Sequence, residues 1–241
     1  MVNQIGGTIK NYELLRIPIF KNKLNIEQYT EYNYYGKMTN LNYNNINKFL
    51  KNIGNNEIKK INDAKQYIKS IIKQFMEHYN KYYKKVDSFW LTIRCSIPNN
   101  VFDIPRWHRD GSFFTIHENE KVHKFTTVLQ GKPTLFITNK RIIEKYNNTI
   151  NKLYKKMVKL EIKTFEKQIK YENKYILPKL AHLVGNEYNK GTVNNGLIFE
   201  VGSRKNSIIH SEPPIKSNRI FLSILPGTFA QINEFKQRRN K

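Results

Sequence analysis

The chain has 241 residues, with 42 Lys and Arg against 19 Asp and Glu and a formal charge of +23. That length can bury a hydrophobic core in one domain, and the charge points to acidic partners: nucleic acid, an anionic surface or an acidic protein. A single cysteine, Cys95, excludes an internal disulfide, and neither a signal-peptide pattern nor a long apolar run is present, so the sequence reads as intracellular and not membrane-spanning.

Taken in chain order, YELLRIPIF (12–20) can supply one strand, with the first 22 residues otherwise ambiguous. From about 24 to 85 the pattern turns helical, most clearly where Ile58, Ile61, Ile68, Ile72, Phe75, Tyr79 and Tyr82 recur after a break at Gly54. This stripe is expected to pack against a sheet. From Ser88 the period becomes two: Phe89, Leu91, Ile93, Cys95 and Ile97 form an apolar face, and Trp90, Thr92, Arg94 and Ser96 a mixed one. Cys95 is therefore expected to be an inert core thiol. Arg94 is read either as a ligand contact or as a structural ion pair.

The next stretch, PRWHRDGSFF (105–114), carries chemistry. On an extended segment residues i and i+2 project to one side, so His108 and Asp110 can reach one metal ion, while Arg109 between them points away. An imidazole and a carboxylate suit borderline divalent metals, and a third ligand is needed for a facial triad that leaves positions open. Trp107, Phe113 and Phe114 are read as core aromatics or pocket walls, and His117 and His123 as exposed loop histidines.

KFTTVLQGKPTLFITN (124–139) reads as two short strands across a Gly-Pro break. Residues 140–180 hold twelve Lys and Arg against four Glu, with Ile143, Tyr146, Ile150, Leu153, Met157 and Leu160 in a helical stripe. This is a basic helical insertion, closed by Pro178 and Gly185. It can present a polyanion groove, or simply a solvated Lys face. Next, GLIFEVG (196–202) and Ser207–His210 read as a hairpin with His210 at a strand end. Arg219 opens a further strand with Ser223 on the same face, and the terminal INEFKQRRNK is expected to fray.

His108-x-Asp110, a distant His210 and Arg219 nine residues later together resemble the Fe(II)/2-oxoglutarate-dependent dioxygenases. The Gly-led strand before the histidine, Pro214 after it and a basic residue opening the last strand are similar to the prolyl-hydroxylase-like branch, over roughly 88–138 and 192–228. The resemblance implies an α+β fold with a mainly β core: a double-stranded β-helix, or jelly roll, backed by N-terminal helices (1–87) and carrying the insertion (140–185) within a single domain. It implies that His108, Asp110 and His210 hold Fe(II), that Arg219 grips the far carboxylate of 2-oxoglutarate, and that O2 takes the remaining position.

In that family the second strand layer often supplies a hydroxyl to the co-substrate, for which Thr126, Thr127 and Gln130 are candidates. The implied reaction hydroxylates, or oxidatively demethylates, a macromolecule, peptidyl first and nucleic acid second. Two departures stand out: about a hundred residues separate Asp110 from His210, and no second Arg follows shortly after Arg219 on its strand. The latter argues against a demethylase of the alkylation-repair type. The alternative is a non-catalytic basic polyanion-binding protein on a jelly-roll shell. No feature points to an oligomeric state.

Overall fold

The computed structural model describes residues 12–99, 104–114, 121–202 and 207–239. Nine strands and six α-helices follow in chain order among them. The N-terminal part holds β1 (Tyr12–Arg16), β2 (Thr30–Lys37), α1 (Tyr43–Asn52), α2 (Ile58–Tyr82) and β3 (Ser88–Ser96). After the His108 segment come β4 (Val122–Gln130), β5 (Leu135–Ile137), α3 (Lys140–Lys159), α4 (Phe165–Tyr171) and α5 (Leu177–Val184). The chain continues through β6 (Asn189–Lys190), β7 (Asn195–Val201), β8 (Ile209–Ser211), β9 (Arg219–Gly227) and α6 (Phe229–Arg239). It is a mixed helix and antiparallel-sheet protein.

Six strands form one antiparallel sheet in the order β1-β7-β4-β9-β3-β2, and three form a smaller one, β6-β5-β8. The period-two pattern explains how the large sheet is covered. Phe89, Leu91, Ile93 and Cys95 of β3, with Ile220, Leu222 and Ile224 of β9, pack on Ile61, Ile68, Ile72 and Phe75 of α2. The alternate residues Trp90, Leu197, Phe199 and Leu225 turn to the opposite side and share a cluster with Phe136 and Ile208. Because side chains alternate across a strand, one register serves both layers. Gly196 belongs to that fit: a Cβ there would stand 1.8 Å from the Phe125 ring.

The small sheet is covered in the same way. Leu135, Ile137 and Ile209 pack outward on Ile142, Tyr146, Leu153, Met157, Ile176 and Leu180 of the insertion, whereas Phe136 and His210 turn inward. Asn139 caps α3, its side chain accepting from the Arg141 and Ile142 amides, and α5 ends at Gly185 with φ +52°. A π-helical turn, Glu172–Ile176, joins α4 to α5.

Several expectations need correcting. A strand, β2, interrupts the segment read as helical from 24 to 85, because its residues complete the edge of the sheet beside β3. The stripe of α2 is narrower than its spacing predicts, with Ile58 70% and Tyr82 52% exposed at its two ends. Residues 196–202 and 207–210 are not a hairpin: β7 pairs with β1 and β4 in the large sheet, and β8 with β5 in the small one. The sheet change separates what a linear reading joins. Pro178 does not close the insertion but stands in the first turn of α5, directly after the π-helical turn. The terminal residues up to Arg239 form α6, held by buried Ile232 and Phe235. Asn240, Lys241, His117 and the turn at 203–206 lie outside the described residues.

Candidate metal centre

His108 and His210 meet through their main chains. Each amide donates to the other's carbonyl, at 3.0 and 2.9 Å, in an isolated antiparallel bridge that fixes the two residues opposite each other. The imidazole centroids are 4.4 Å apart. Asp110, two residues beyond His108, is held by its carbonyl, which accepts from the Gly202 amide at 2.9 Å. Its Oδ1 lies 3.8 Å from His108 Nε2 and 3.7 Å from His210 Nε2. The three donor atoms all fall within 4.8 Å of one another, a grouping that can hold one metal ion.

The ring nitrogens are assigned by their partners. His108 Nδ1 lies 2.7 Å from the Arg106 carbonyl and His210 Nδ1 3.3 Å from the Ile208 carbonyl. A carbonyl only accepts, so both Nδ1 atoms carry the proton and both Nε2 lone pairs turn toward Asp110. Metal-ligating histidines are oriented by this kind of tether. Burial pushes His210 down to about 4, with Asp110 opposing and His108 and Lys124 reinforcing. A neutral imidazole is the form that binds a metal.

Asp110 is the ionised member. Burial alone would raise its carboxyl, but the Lys124 ammonium, joined by the imidazoles where they carry a proton, outweighs burial and holds it well below the usual carboxylate range. Lys124 Nζ donates to Asp110 Oδ2 at 2.9 Å, leaving Oδ1 for the histidine side. Arg109 turns away, as the i/i+2 argument requires, and donates to Asn147 Oδ1 at 3.0 Å. Trp107 is a core residue packed with the insertion, and its carbonyl accepts from Tyr146 Oη at 3.1 Å.

The three residues open onto a cavity of about 240 Å³ between the sheets, which is also lined by Trp90, Arg94, Lys124, Thr126 and Glu212. Of the hydroxyl candidates, Thr126 is the one that faces it; its buried Oγ1 has no partner among the described residues. Thr127 points to the other side of β4, toward the Asn195 carbonyl, and the Gln130 side chain bonds the main chain of Leu24. Phe114 lines the cavity, while Phe113 packs on Phe235 at its edge.

Arg219 is 1% exposed and shares its strand face with Phe221 and Ser223, which line the cavity. Its Nε donates to the Lys132 carbonyl at 3.0 Å, but Nη1 and Nη2 are buried without a hydrogen-bond partner. Burial lowers its pKa to about 10, Arg94 adding and Glu212 opposing. Arg94 forms the structural ion pair, with Glu31 at 2.8 Å and Glu212 at 2.9 Å, and it also lines the cavity.

Sequence reasoning missed Glu212 and Lys124. Lys124 shares a strand face with Thr126, a signal that the alternation of β4 contains once its direction is known. His123 is corrected. It lies on β4, half-buried against Tyr83 with ring centroids 4.5 Å apart, and burial pulls it down to about 4. Cys95 is the core thiol expected, pushed up to about 12 by burial.

No protein-family model matches the sequence, and no curated protein matches it. Among solved structures the chain is similar to a Pseudomonas putida prolyl-4-hydroxylase, at TM-score 0.37 and 8% identity over 85% of this chain and 77% of that one. It is also similar to a truncated form of the viral collagen prolyl hydroxylase of Paramecium Bursaria Chlorella virus-1, at TM-score 0.39 and 11% identity over 94% and 96%. Both scores are low. Among the described residues no helix is long and apolar enough to cross a membrane.

Proposed function

We propose that this chain is an Fe(II)- and 2-oxoglutarate-dependent dioxygenase, with its two facing sheets forming a double-stranded β-helix in a single domain. One observation carries the reading: a His-Asp-His group with both Nδ1 atoms tethered lines the cavity, and buried Arg219, on the strand face of Phe221 and Ser223 that also line it, holds two Nη atoms without a hydrogen-bond partner. Two neutral imidazoles and one carboxylate on a single side of an ion suit Fe(II) and leave positions for further ligands. A buried guanidinium with free donors suits a carboxylate, which it can meet through two parallel hydrogen bonds.

The residues take the following roles. His108, Asp110 and His210 would hold the metal, and the Lys124 ammonium engages Asp110 Oδ2 and leaves Oδ1 available to it. Arg219 anchors the far carboxylate of 2-oxoglutarate, and Thr126 Oγ1 is available to it as a hydroxyl partner. With iron, 2-oxoglutarate and O2 bound, the centre would couple oxidative decarboxylation of the co-substrate to hydroxylation, or demethylation by hydroxylation, of a substrate. The walls limit water at that point, since Phe221, Leu225 and Thr126 are all buried.

The substrate proposed first is a peptidyl side chain and second a nucleic acid. Trp90, Phe114 and Leu225 line the cavity, an apolar wall that suits a side chain of a macromolecule beside the metal group. Residues 140–180 support an acidic partner, carrying about a third of the net charge in a sixth of the length. Lys152, Lys155, Lys156, Lys159 and Lys163 are all exposed there, with Val158 and Leu160. The same surface is what a non-catalytic polyanion binder would present. Anaerobic Fe(II) titration with succinate release measured in air decides between them. One iron per chain and 2-oxoglutarate turnover support the oxygenase; salt-sensitive polyanion binding without iron or turnover supports the binder.

A further inference from the structure

The Arg219 guanidinium does not itself line the cavity. Two residues that do line it touch the guanidinium: Phe221, whose ring it covers at 4.9 Å, and Glu212, whose Oε1 is 3.6 Å from Nη1. Glu212 is not hydrogen-bonded to Arg219. The same Oε1 accepts from Arg94 Nη1 at 2.9 Å, and Arg94 in turn donates through Nε to Glu31 at 2.8 Å. The carboxylate is thus shared unequally between a buried arginine with spare donors and a half-exposed one that already grips it.

A ligand carboxylate that approaches the Arg219 fork from the cavity therefore meets a resident one. Two carboxylates sharing a small, poorly hydrated space repel each other, and the resident must yield or the ligand's affinity falls. Glu212 has somewhere to go, because its stronger interaction is with Arg94, on the solvent side of the pair.

We propose that Glu212 is an internal competitor for Arg219: it guards the buried fork against anions, and it swings fully onto Arg94 when a ligand with a distal carboxylate enters. This deepens the co-substrate reading above and rests on it. Glu212 then sets how tightly, and with what selectivity, a dicarboxylic 2-oxo acid binds. Arg94 is the residue that parks Glu212 out of the way.

The test is a 2-oxoglutarate titration of the anaerobic Fe(II) protein, read by calorimetry and by the visible metal-to-ligand band, with 2-oxopentanoate, which lacks the far carboxylate, as the comparison ligand. Glu212→Gln keeps the shape and removes the charge, and should tighten 2-oxoglutarate on the order of tenfold while leaving 2-oxopentanoate near wild type. Arg94→Gln removes the parking site and should weaken 2-oxoglutarate, and the double variant should recover much of that loss. A residue that only supports the fold would give additive losses for both ligands. If wild type binds 2-oxoglutarate and Glu212→Gln binds it equally or more weakly, Glu212 is a support for Arg219 and the proposal fails while the oxygenase reading stands. If iron binds but neither protein takes 2-oxoglutarate, the oxygenase reading fails and this proposal with it.

Discussion

His108 and His210 are about a hundred residues apart in the chain yet exchange a reciprocal pair of main-chain hydrogen bonds, so the His-Asp-His group is built on a strand pairing and not on side-chain contacts alone. Preorganisation of this kind means that the ligands need little rearrangement to receive an ion. It also separates metal binding from folding, because the bridge involves backbone atoms that a side-chain substitution leaves in place.

His108→Ala, Asp110→Asn and His210→Ala should each weaken Fe(II) by at least about a hundredfold, more than removal of a residue that merely orients a ligand typically costs. Secondary structure and thermal stability should change little for His108→Ala, whose side chain is 46% exposed. His182→Ala, on the exposed surface of α5, is the matched control and should bind iron normally. Equal iron affinity in all four proteins would show that the grouping is not the metal site.

Arg219 allows co-substrate binding to be separated from metal binding. Arg219→Lys retains a charge but loses the planar fork, so 2-oxoglutarate affinity should fall while Fe(II) affinity stays close to wild type. Arg219→Leu should cost more, on the order of a few kcal/mol, because the ligand carboxylate would be left unpaired in a buried space. Indistinguishable titrations for wild type and both variants would remove Arg219 as the anchor.

Acid should destabilise the metal-free protein in a defined window. His123 has a folded pKa lowered from 6.5 to about 4, so below 6.5 the unfolded chain takes up a proton that the folded one refuses. The contribution is present above pH 6.5 and is lost as the pH falls toward 4. His210 acts with the same sign and over the same range. Thermal melts from pH 7 to pH 4 should show a falling Tm, and His123→Phe should make that fall shallower without flattening it. An unchanged slope would show that His123 takes up its proton in the folded state.

The insertion should bind polyanions electrostatically. Neutralising Lys152, Lys155, Lys156, Lys159 and Lys163 should lower affinity for single-stranded RNA or DNA. The slope of log K against log salt should shrink by about 0.7 for each phosphate that the variant no longer neutralises. An unchanged slope would mark these lysines as a solvated face.

What the sequence determined by itself is local. The alternation from Ser88 to Ile97 named both faces of β3, the i/i+2 spacing put His108 and Asp110 on one side, and the stripes of α2 and α3 marked the buried helix faces except at their ends, where Ile58, Tyr82 and Leu160 are exposed. Periodicity and short-range geometry are properties of neighbouring residues, so they survive without knowledge of the fold. His210 stood out at a strand end and Arg219 at the start of the next strand, but their roles came only from the family resemblance.

Only the tertiary structure decided the rest. It assigned β7 and β8 to different sheets, made a strand of Thr30–Lys37, turned Thr126 and not Thr127 to the cavity, placed Lys124 on Asp110, and set Glu212 between Arg94 and Arg219. Each of these depends on which strand pairs with which, and at what register. A shift of one residue in that register would reverse every inward and outward side chain, and it is chosen by interactions between residues far apart in the chain.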